Sequence, residues 1–333
     1  MASAIARRKA YQLCLTPRLR ETAIRGAVLQ MLRCGITTAN AMEGGAFFSD
    51  ADIEAVQAAA RGSVPELLVY PQLMDVDKVL QLGLSRIGGN IYLDGTIGSR
   101  TAAVRDNYLQ TGHNGLLYYT QEDVDQFVRR AHQCGLQISI SCVGERAIEQ
   151  ALHAYQRVLG ASGENPLRHR LELFVLPTQA QIHRAVEMGL LLSIRPNYDR
   201  LWGGEQGMYA RHIGRDYVRA NPLGSLLRQG GRVLLGSESG VTPLPPMAGI
   251  QSCVTHHVPA ERITALEALK MYTVNGAYAN FLEQTAGKIA PGYQADLAVL
   301  SGDPLTTPAE ELERIQVLQT YKRGQLVYDR GGT

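Results

Sequence analysis

The chain has 333 residues, of which 45% are hydrophobic and 19% are charged, so it can bury one large core or two smaller ones. Its 33 basic and 31 acidic residues give a formal net charge of +2 at pH 7. This near balance excludes a broad electrostatic field that would attract nucleic acid or an anionic membrane. We therefore expect a small molecule as the partner.

Five cysteines are scattered along the chain without a CxxC pair. The odd number and the spacing argue against a disulfide framework and favour a reducing compartment, so we expect a cytoplasmic protein. No apolar run approaches the roughly 18 residues that span a bilayer. Residues 1–20 are basic and lack the apolar core of a secretory signal, and they are predicted to be an N-terminal extension.

Short apolar runs alternate with helical stretches along the chain and predict seven strands. Capping boxes that begin at Thr120, Thr178 and Thr264 indicate the starts of three helices. This alternation is typical of a parallel sheet that is covered by helices, hence of the α/β class. The strands are predicted at residues 35–40, 66–73, 90–95, 136–142, 170–175, 190–196 and 232–237.

A closed barrel and a doubly wound sheet share this pattern. No glycine-rich nucleotide fingerprint follows the first strand, and polar residues follow many different strands, which together favour the barrel. We therefore predict a TIM-like (β/α) barrel over residues 21–285, with functional side chains at the C-terminal ends of its strands. The residues at those ends are Asn40, Asp94, Ser141, Cys142, Leu173, Asn197 and Glu238.

The predicted secondary structure changes after the barrel. One long helix is predicted over residues 265–281, beginning after Thr264. The following residues read as turns and short strands, so residues 286–333 are predicted to form a small C-terminal β lobe.

Five long motifs, in order, resemble the amidohydrolase superfamily and specifically its YtcJ-like amidohydrolase family 3 group. The similarity extends over nearly all of residues 20–330. It implies an amidohydrolase-type barrel and an ancestral activity in the hydrolysis of C–N bonds, other than peptide bonds, in a small molecule. The motifs are LDGTIGSRTAAV (93–104), CVGERAIEQALHAY (142–155), RHRLELFVLPTQAQI (168–182), GSESGVTPLPPMAGI (236–250) and GKIAPGYQADLAVLSGDP (287–304).

The resemblance also implies one or two divalent metals that activate a water molecule. It places Ser141 and Leu173 where the family has histidines, and Glu238 where it has an aspartate. Asn90 falls where some members carry a lysine, and the HxH pair of the first barrel strand has no counterpart. A single carboxylate cannot hold a zinc ion, and Cys142 is expected to point away from the barrel interior because it alternates with Ser141. We therefore expect no catalytic divalent metal and no other cofactor.

Some enzymes of the superfamily hydrolyse without a metal, using arginines to polarise a carbonyl group and a carboxylate as the base. By this comparison Glu238 is the candidate base, and Arg195 and Arg100 are candidates for stabilising an oxyanion. Asp94, which precedes the loop of Arg100, completes the catalytic candidates. As structural alternatives, Asp94 and Arg100 pair to organise the loop, and Arg195 faces solvent beside Trp202.

Candidate substrate-binding residues follow from the same positions. The segment 197–214 contains three glycines and several aromatic residues, so it is predicted to be a mobile loop over the site. Alternatively, it is a surface loop whose aromatic side chains pack on the barrel rim. The candidates for substrate binding are Ser141, Leu173, Asn197, Tyr198 and Trp202.

Seven predicted strands are one fewer than the resemblance implies, because the chain begins downstream of the first barrel strand. A barrel without that strand has two exposed edges that invite pairing, so we expect a homo-oligomer or pairing with a chain that supplies the missing N-terminal part. The replaced ligands favour two functions over a metal-dependent hydrolase of the family's usual kind. One is an enzyme with altered or metal-independent chemistry, and the other is a noncatalytic pseudoenzyme subunit that binds a small molecule or completes a partner's barrel.

Overall fold

The computed structural model describes residues 9–11, 13–45, 49–61, 64–160 and 163–331. A strand is present at each of the seven predicted places, so these predictions are confirmed. The third strand begins four residues before the prediction and includes Asn90, whose side chain lies outside the described residues. The strands are β1 Thr38–Glu43, β2 Glu66–Pro71, β3 Arg86–Tyr92, β4 Gln137–Cys142, β5 Arg170–Leu173, β6 Leu191–Ile194 and β7 Arg232–Leu235.

All pairings between these strands are parallel. β1 and β2 form a two-stranded sheet, and β3 to β7 form a five-stranded sheet in chain order. Between β3 and β4 the register shifts at Gly88 and Gly89, both of which have positive φ. A Cβ atom on Gly89 would lie 2.7 Å from the carbonyl oxygen of Tyr70 in β2, so β3 approaches β2 closely without forming a ladder with it.

Helices follow the strands, as the alternating pattern predicts. The capping boxes at Thr120, Thr178 and Thr264 are confirmed by hydrogen bonds in both directions. Of the described helices, none combines the length and the apolar character that crossing a bilayer requires. The helices are α1 Pro17–Arg33, α2 Asp50–Ala60, α3 Val76–Gln81, α4 Gln121–Gln133, α5 Glu145–Leu159, α6 Gln179–Glu187, α7 Asn197–Trp202, α8 Met208–Ile213, α9 Leu223–Arg228, α10 Pro246–Val254, α11 Ala265–Tyr272 and α12 Val274–Ala279.

The prediction of one long helix over residues 265–281 is wrong. Thr273 leaves the helical region, with φ −116° and ψ −82°, and separates α11 from α12. Its hydroxyl group donates to the carbonyl oxygen of Leu269 (2.7 Å), a side-chain bond that competes with helical hydrogen bonding. In α12, Asn275 then donates to the carbonyl oxygen of Val233 in β7 (2.8 Å), so the second helix is tied to the sheet.

The two faces of β4 differ in chemistry. Ile138, Ile140 and Cys142 belong to the main apolar core, together with residues of the covering helices α4 and α5. This confirms the expectation that Cys142 points away from the interior. Ser139 and Ser141 lie on the opposite face, because successive side chains of a strand alternate.

After the helices come the predicted short strands. β8 Leu297–Leu300, β9 Val317–Lys322 and β10 Gln325–Asp329 form an antiparallel sheet in the order β10-β9-β8. The hydroxyl group of Thr320 in β9 donates to the carbonyl oxygen of Leu32 in α1 (2.7 Å), which joins this sheet to the first helix. The domain boundaries at residues 20 and 285 stay predictions, and the first of them falls inside α1.

Candidate active site

A buried cluster of polar and charged residues occupies the inner face of the five-stranded sheet. Glu172 of β5 has no exposed surface, and its two oxygens are both engaged. Oε1 accepts from Nε of Arg170 (2.5 Å) and from the hydroxyl group of Ser139 (2.9 Å), and Oε2 accepts from Nη2 of Arg195 (2.7 Å). Sequence reasoning assigned no role to Glu172, Arg170 or Ser139.

Burial alone would raise the pKa of Glu172, but Arg170 and Arg195 outweigh it and hold this pKa at about 2. The two guanidinium groups also donate to the hydroxyl group of Ser193 in β6, at 3.2 and 2.9 Å. The signal for this cluster was available in the sequence, since polar residues occupy alternate positions of β4, β5 and β6.

Arg195 is 4% exposed, so the alternative in which it faces solvent is wrong. Its Nη1 donates to Ser193 and its Nη2 to Glu172, which leaves only Nε without a partner among the described residues. The terminal nitrogens of Arg195 therefore donate their hydrogen bonds to members of the buried cluster.

Glu238 stands just beyond β7, at the end of the strands where the candidate site was predicted. Its carboxylate accepts a hydrogen bond from the hydroxyl group of Tyr198 and a longer one from that of Tyr92 (3.4 Å). Tyr92 is in register with Ser141, so the structure brings Glu238, Tyr198 and Ser141 to one region. Burial, and next the charge of Glu238, raise the pKa of Tyr198, which keeps its hydroxyl group protonated as a donor.

Ser141 and Leu173 meet different surroundings in this region. Ser141 is 1% exposed, and its hydroxyl group has no hydrogen-bond partner among the residues that the structure describes. Leu173 has φ 71° and the next residue, Phe174, has φ 47°, so the chain leaves β5 through two left-handed residues. This turn places the Leu173 side chain in an apolar cluster with Tyr198 and Tyr209.

Asp94 and Arg100 do not pair with each other, so that alternative is wrong. Asp94 is buried and accepts hydrogen bonds from the backbone N–H groups of Ala103 (2.8 Å), Val143 (3.0 Å) and Gly144 (2.8 Å). Burial raises the pKa of Asp94 to about 7, and the three N–H donors oppose this shift. Arg100, whose φ is 57°, instead donates through Nε to Nδ1 of His212 (2.9 Å). Catalytic roles for these two residues stay predictions.

The segment 197–214 folds as α7 and α8, so the prediction of a loop there is wrong, while its mobility stays a prediction. Trp202 packs against Tyr198, with ring centroids 4.5 Å apart, and lies 6.3 Å from Tyr209. Asn197 is buried and accepts a hydrogen bond from the hydroxyl group of Ser252 (2.7 Å). These contacts hold α7 and α8 in place and agree with the aromatic packing of the alternative, but not with its surface loop.

A divalent metal needs three or four donor side chains that converge. Within the described ranges, no three His, Cys, Asp or Glu side chains form a group that could hold a metal ion. In the region of Glu238, Ser141 offers a hydroxyl group and Leu173 an apolar side chain. These described residues do not fit the metal that the resemblance implies.

The sequence profile of the amidohydrolase family matches residues 4–328. The chain belongs to this family. The amidohydrolase YtcJ of Bacillus subtilis is 28% identical over 296 residues, which are 82% of this chain and 54% of YtcJ. N-substituted formamide deformylase of Arthrobacter pascens is 32% identical over 228 residues, which are 66% of this chain and 42% of that protein. The chain thus spans about half the length of these curated relatives.

Solved structures show the same fold for this amidohydrolase-family chain. A metal-dependent hydrolase from Pyrococcus furiosus superposes with a TM-score of 0.76 at 23% identity, over 88% of this chain and 62% of that one. A second one, from Pyrococcus horikoshii, gives a TM-score of 0.74 at 20% identity, over 89% of this chain and 62% of that one. The parallel sheet with its covering helices is therefore the α/β fold of amidohydrolase-type enzymes.

Proposed function

We propose that this chain carries most of the pocket of an enzyme that hydrolyses C–N bonds, other than peptide bonds, in a small molecule, without a resident divalent metal. The main support is the position of Glu238, a half-buried carboxylate beyond β7 that accepts hydrogen bonds from Tyr198 and Tyr92. Family membership supports the reaction class, as does the relative named as a formamide deformylase.

In the proposed reaction, Glu238 takes a proton from a water molecule whose oxygen adds to the carbonyl carbon of the substrate. The tyrosine hydroxyl groups hold the carboxylate in place. The negative charge that develops on the carbonyl oxygen needs a donor, and the unpartnered hydroxyl group of Ser141 is proposed for it. When the C–N bond breaks, the proton on Glu238 passes to the leaving nitrogen.

We further propose that the two parallel sheets enclose one barrel interior, completed by a strand from another polypeptide. The hydroxyl group of Tyr70 in β2 donates to Gln137 of β4 (2.7 Å) and accepts from Arg170 of β5 (3.4 Å), so both sheets contribute to one cluster. At the outer edge of β7, Asn275 already covers the carbonyl group of Val233. At β1, Gln72 likewise covers the carbonyl group of Met42, and we propose this first strand as the edge for a second copy, or for a chain that supplies the remaining part.

A noncatalytic subunit is the second candidate function. The apolar cluster of Leu173, Tyr198 and Tyr209 favours it, because this cluster occupies the region beside Glu238 where a substrate would lie. A cytoplasmic location also remains a proposal, supported by five cysteines that are all unpaired by disulfides.

The deciding experiment compares Glu238→Gln with Glu205→Gln, an exposed glutamate between α7 and α8. Amine release from a panel of N-formylamines and cyclic amides is measured after dialysis against a chelator. We expect Glu238→Gln to lose roughly 100-fold in turnover and the control to keep it. Unchanged turnover in Glu238→Gln would remove the proposed base, and stoichiometric zinc after dialysis would overturn the metal-free mechanism. No release by the unmodified protein would favour the noncatalytic subunit.

A further inference from the structure

A cavity of about 490 Å³ opens at the start of β7, at the opposite end of the strand from Glu238. Its lining includes Arg232, the first residue of β7, and residues of α12 and of the chain that follows, as far as Tyr293. None of the candidate site residues lines it. The cavity is therefore separate from the region of Glu238.

An aromatic ring in the lining orders the nearest guanidinium groups. The guanidinium carbon of Arg232 lies 3.5 Å from the ring centroid of Tyr278, and that of Arg168 lies 3.9 Å from the same centroid. Arg168 also donates to both carboxylate oxygens of Glu283, at 2.6 and 2.9 Å. The stack on Tyr278 thus holds Arg232 in place, while the charge of Arg168 is met by Glu283.

Two cations in the lining are not held by a carboxylate, although the charge of Arg232, after the hydrogen bond and charge of Arg168, lowers the pKa of Glu283. Within the part of the chain that the structure describes, neither Arg232 nor Lys288 makes an ion pair or a side-chain hydrogen bond. Nζ of Lys288 lies 5.7 Å from the ring centroid of Tyr293, which also lines the cavity. Glu283 is the carboxylate of the lining, and Arg168 occupies both of its oxygens, so the lining has an excess of positive charge.

We propose that this cavity binds a small oxyanion, a carboxylate or phosphate group, between Arg232 and Lys288. The planar fork of arginine matches both groups, because it can donate two parallel hydrogen bonds. A guanidinium group that is already stacked loses little freedom on binding, and the ring of Tyr293 offers a flat surface to the organic part of the ligand. The site does not depend on the reaction proposed for Glu238.

Titration calorimetry of the full chain at low ionic strength tests this, with inorganic phosphate and acetate as separate probes. We expect dissociation constants on the order of 1 mM for the preferred anion. Arg232→Gln and Lys288→Gln should each weaken binding about 10-fold. The control Arg215→Gln, an exposed arginine without an ion pair among the described residues, should leave it unchanged. The anion that binds more tightly distinguishes a phosphate ligand from a carboxylate ligand.

The loss of the stack on Tyr278 could affect folding in Arg232→Gln, so the urea midpoint of each variant is measured first. Lys288 is exposed and Lys288→Gln therefore provides the independent readout. Arg232→Lys keeps the charge without the fork and should recover part of the affinity. The proposal is overturned if neither anion binds the unmodified chain, or if both glutamine variants bind as well as the Arg215→Gln control.

Discussion

The carboxylate of Glu172 is shared by two buried guanidinium groups, those of Arg170 and Arg195. Replacing Glu172 by glutamine leaves two cations near each other without a counter-ion, so we expect the free energy of unfolding to fall by about 3 to 5 kcal/mol. Ser139→Ala is the matched control, since it removes one neutral donor from the same carboxylate and should cost about 1 kcal/mol. Urea unfolding measures both, and a Glu172→Gln loss no larger than that of Ser139→Ala contradicts the account.

The low pKa of Glu172 also fixes the sign of a pH effect. Folding lowers this pKa from 4.5 to about 2, so the stabilising contribution is present above about pH 4.5 and is lost as the pH falls towards 2. The difference in unfolding free energy between the unmodified chain and Glu172→Gln should therefore narrow between about pH 6 and about pH 3. Urea unfolding at both pH values measures it, and a difference that stays constant or widens on acidification would contradict the low pKa.

At the scale of elements, Asp94 joins the end of β3 to the loop that contains Ala103 and to the start of α5. In Asp94→Asn the amide NH₂ group must face one of the three backbone N–H donors, so the free energy of unfolding should fall by roughly 1 to 3 kcal/mol. Amide exchange at Ala103, Val143 and Gly144 should also become faster. Asp106→Asn, an exposed aspartate of the same loop, is the control and should change stability by less than about 0.5 kcal/mol. Equal rates of amide exchange in the two variants would contradict the proposal that Asp94 holds these three N–H groups.

The sequence predicted the strands, but it did not predict the side-chain contacts that end or attach an element. The strands were predicted because apolar periodicity and length are local signals, as in β4, where alternate residues face the core. The break at Thr273 was missed, because it depends on a side-chain bond to Leu269 and on the attachment of Asn275 to β7. Local propensity contains neither contact.

At the scale of the whole molecule, the contacts around Glu238 were also not predicted from the sequence. The place of Glu238 at the end of β7 followed from strand order, but its partners Tyr92 and Tyr198 come from β3 and α7, far away in sequence. The pairing of Arg195 with Glu172 likewise depends on the register of β5 against β6. Such contacts are set by how the strands assemble, which a single sequence does not specify.

The outer edge of β1 is the surface on which assembly of the whole molecule can be tested. Thr37 and Glu43 accept from the N–H groups of Glu66 and Gln72, so by alternation the N–H of Ala41 belongs to the ladder with β2 and that of Asn40 faces outward. If another copy adds a strand at this edge, Asn40→Pro should shift the chain towards the monomer in size-exclusion chromatography with light scattering. Ala41→Pro should instead lower the free energy of unfolding, because it removes a donor within the sheet. An unmodified chain that is monomeric at every concentration would exclude pairing between copies and leave pairing with a different chain as the proposal.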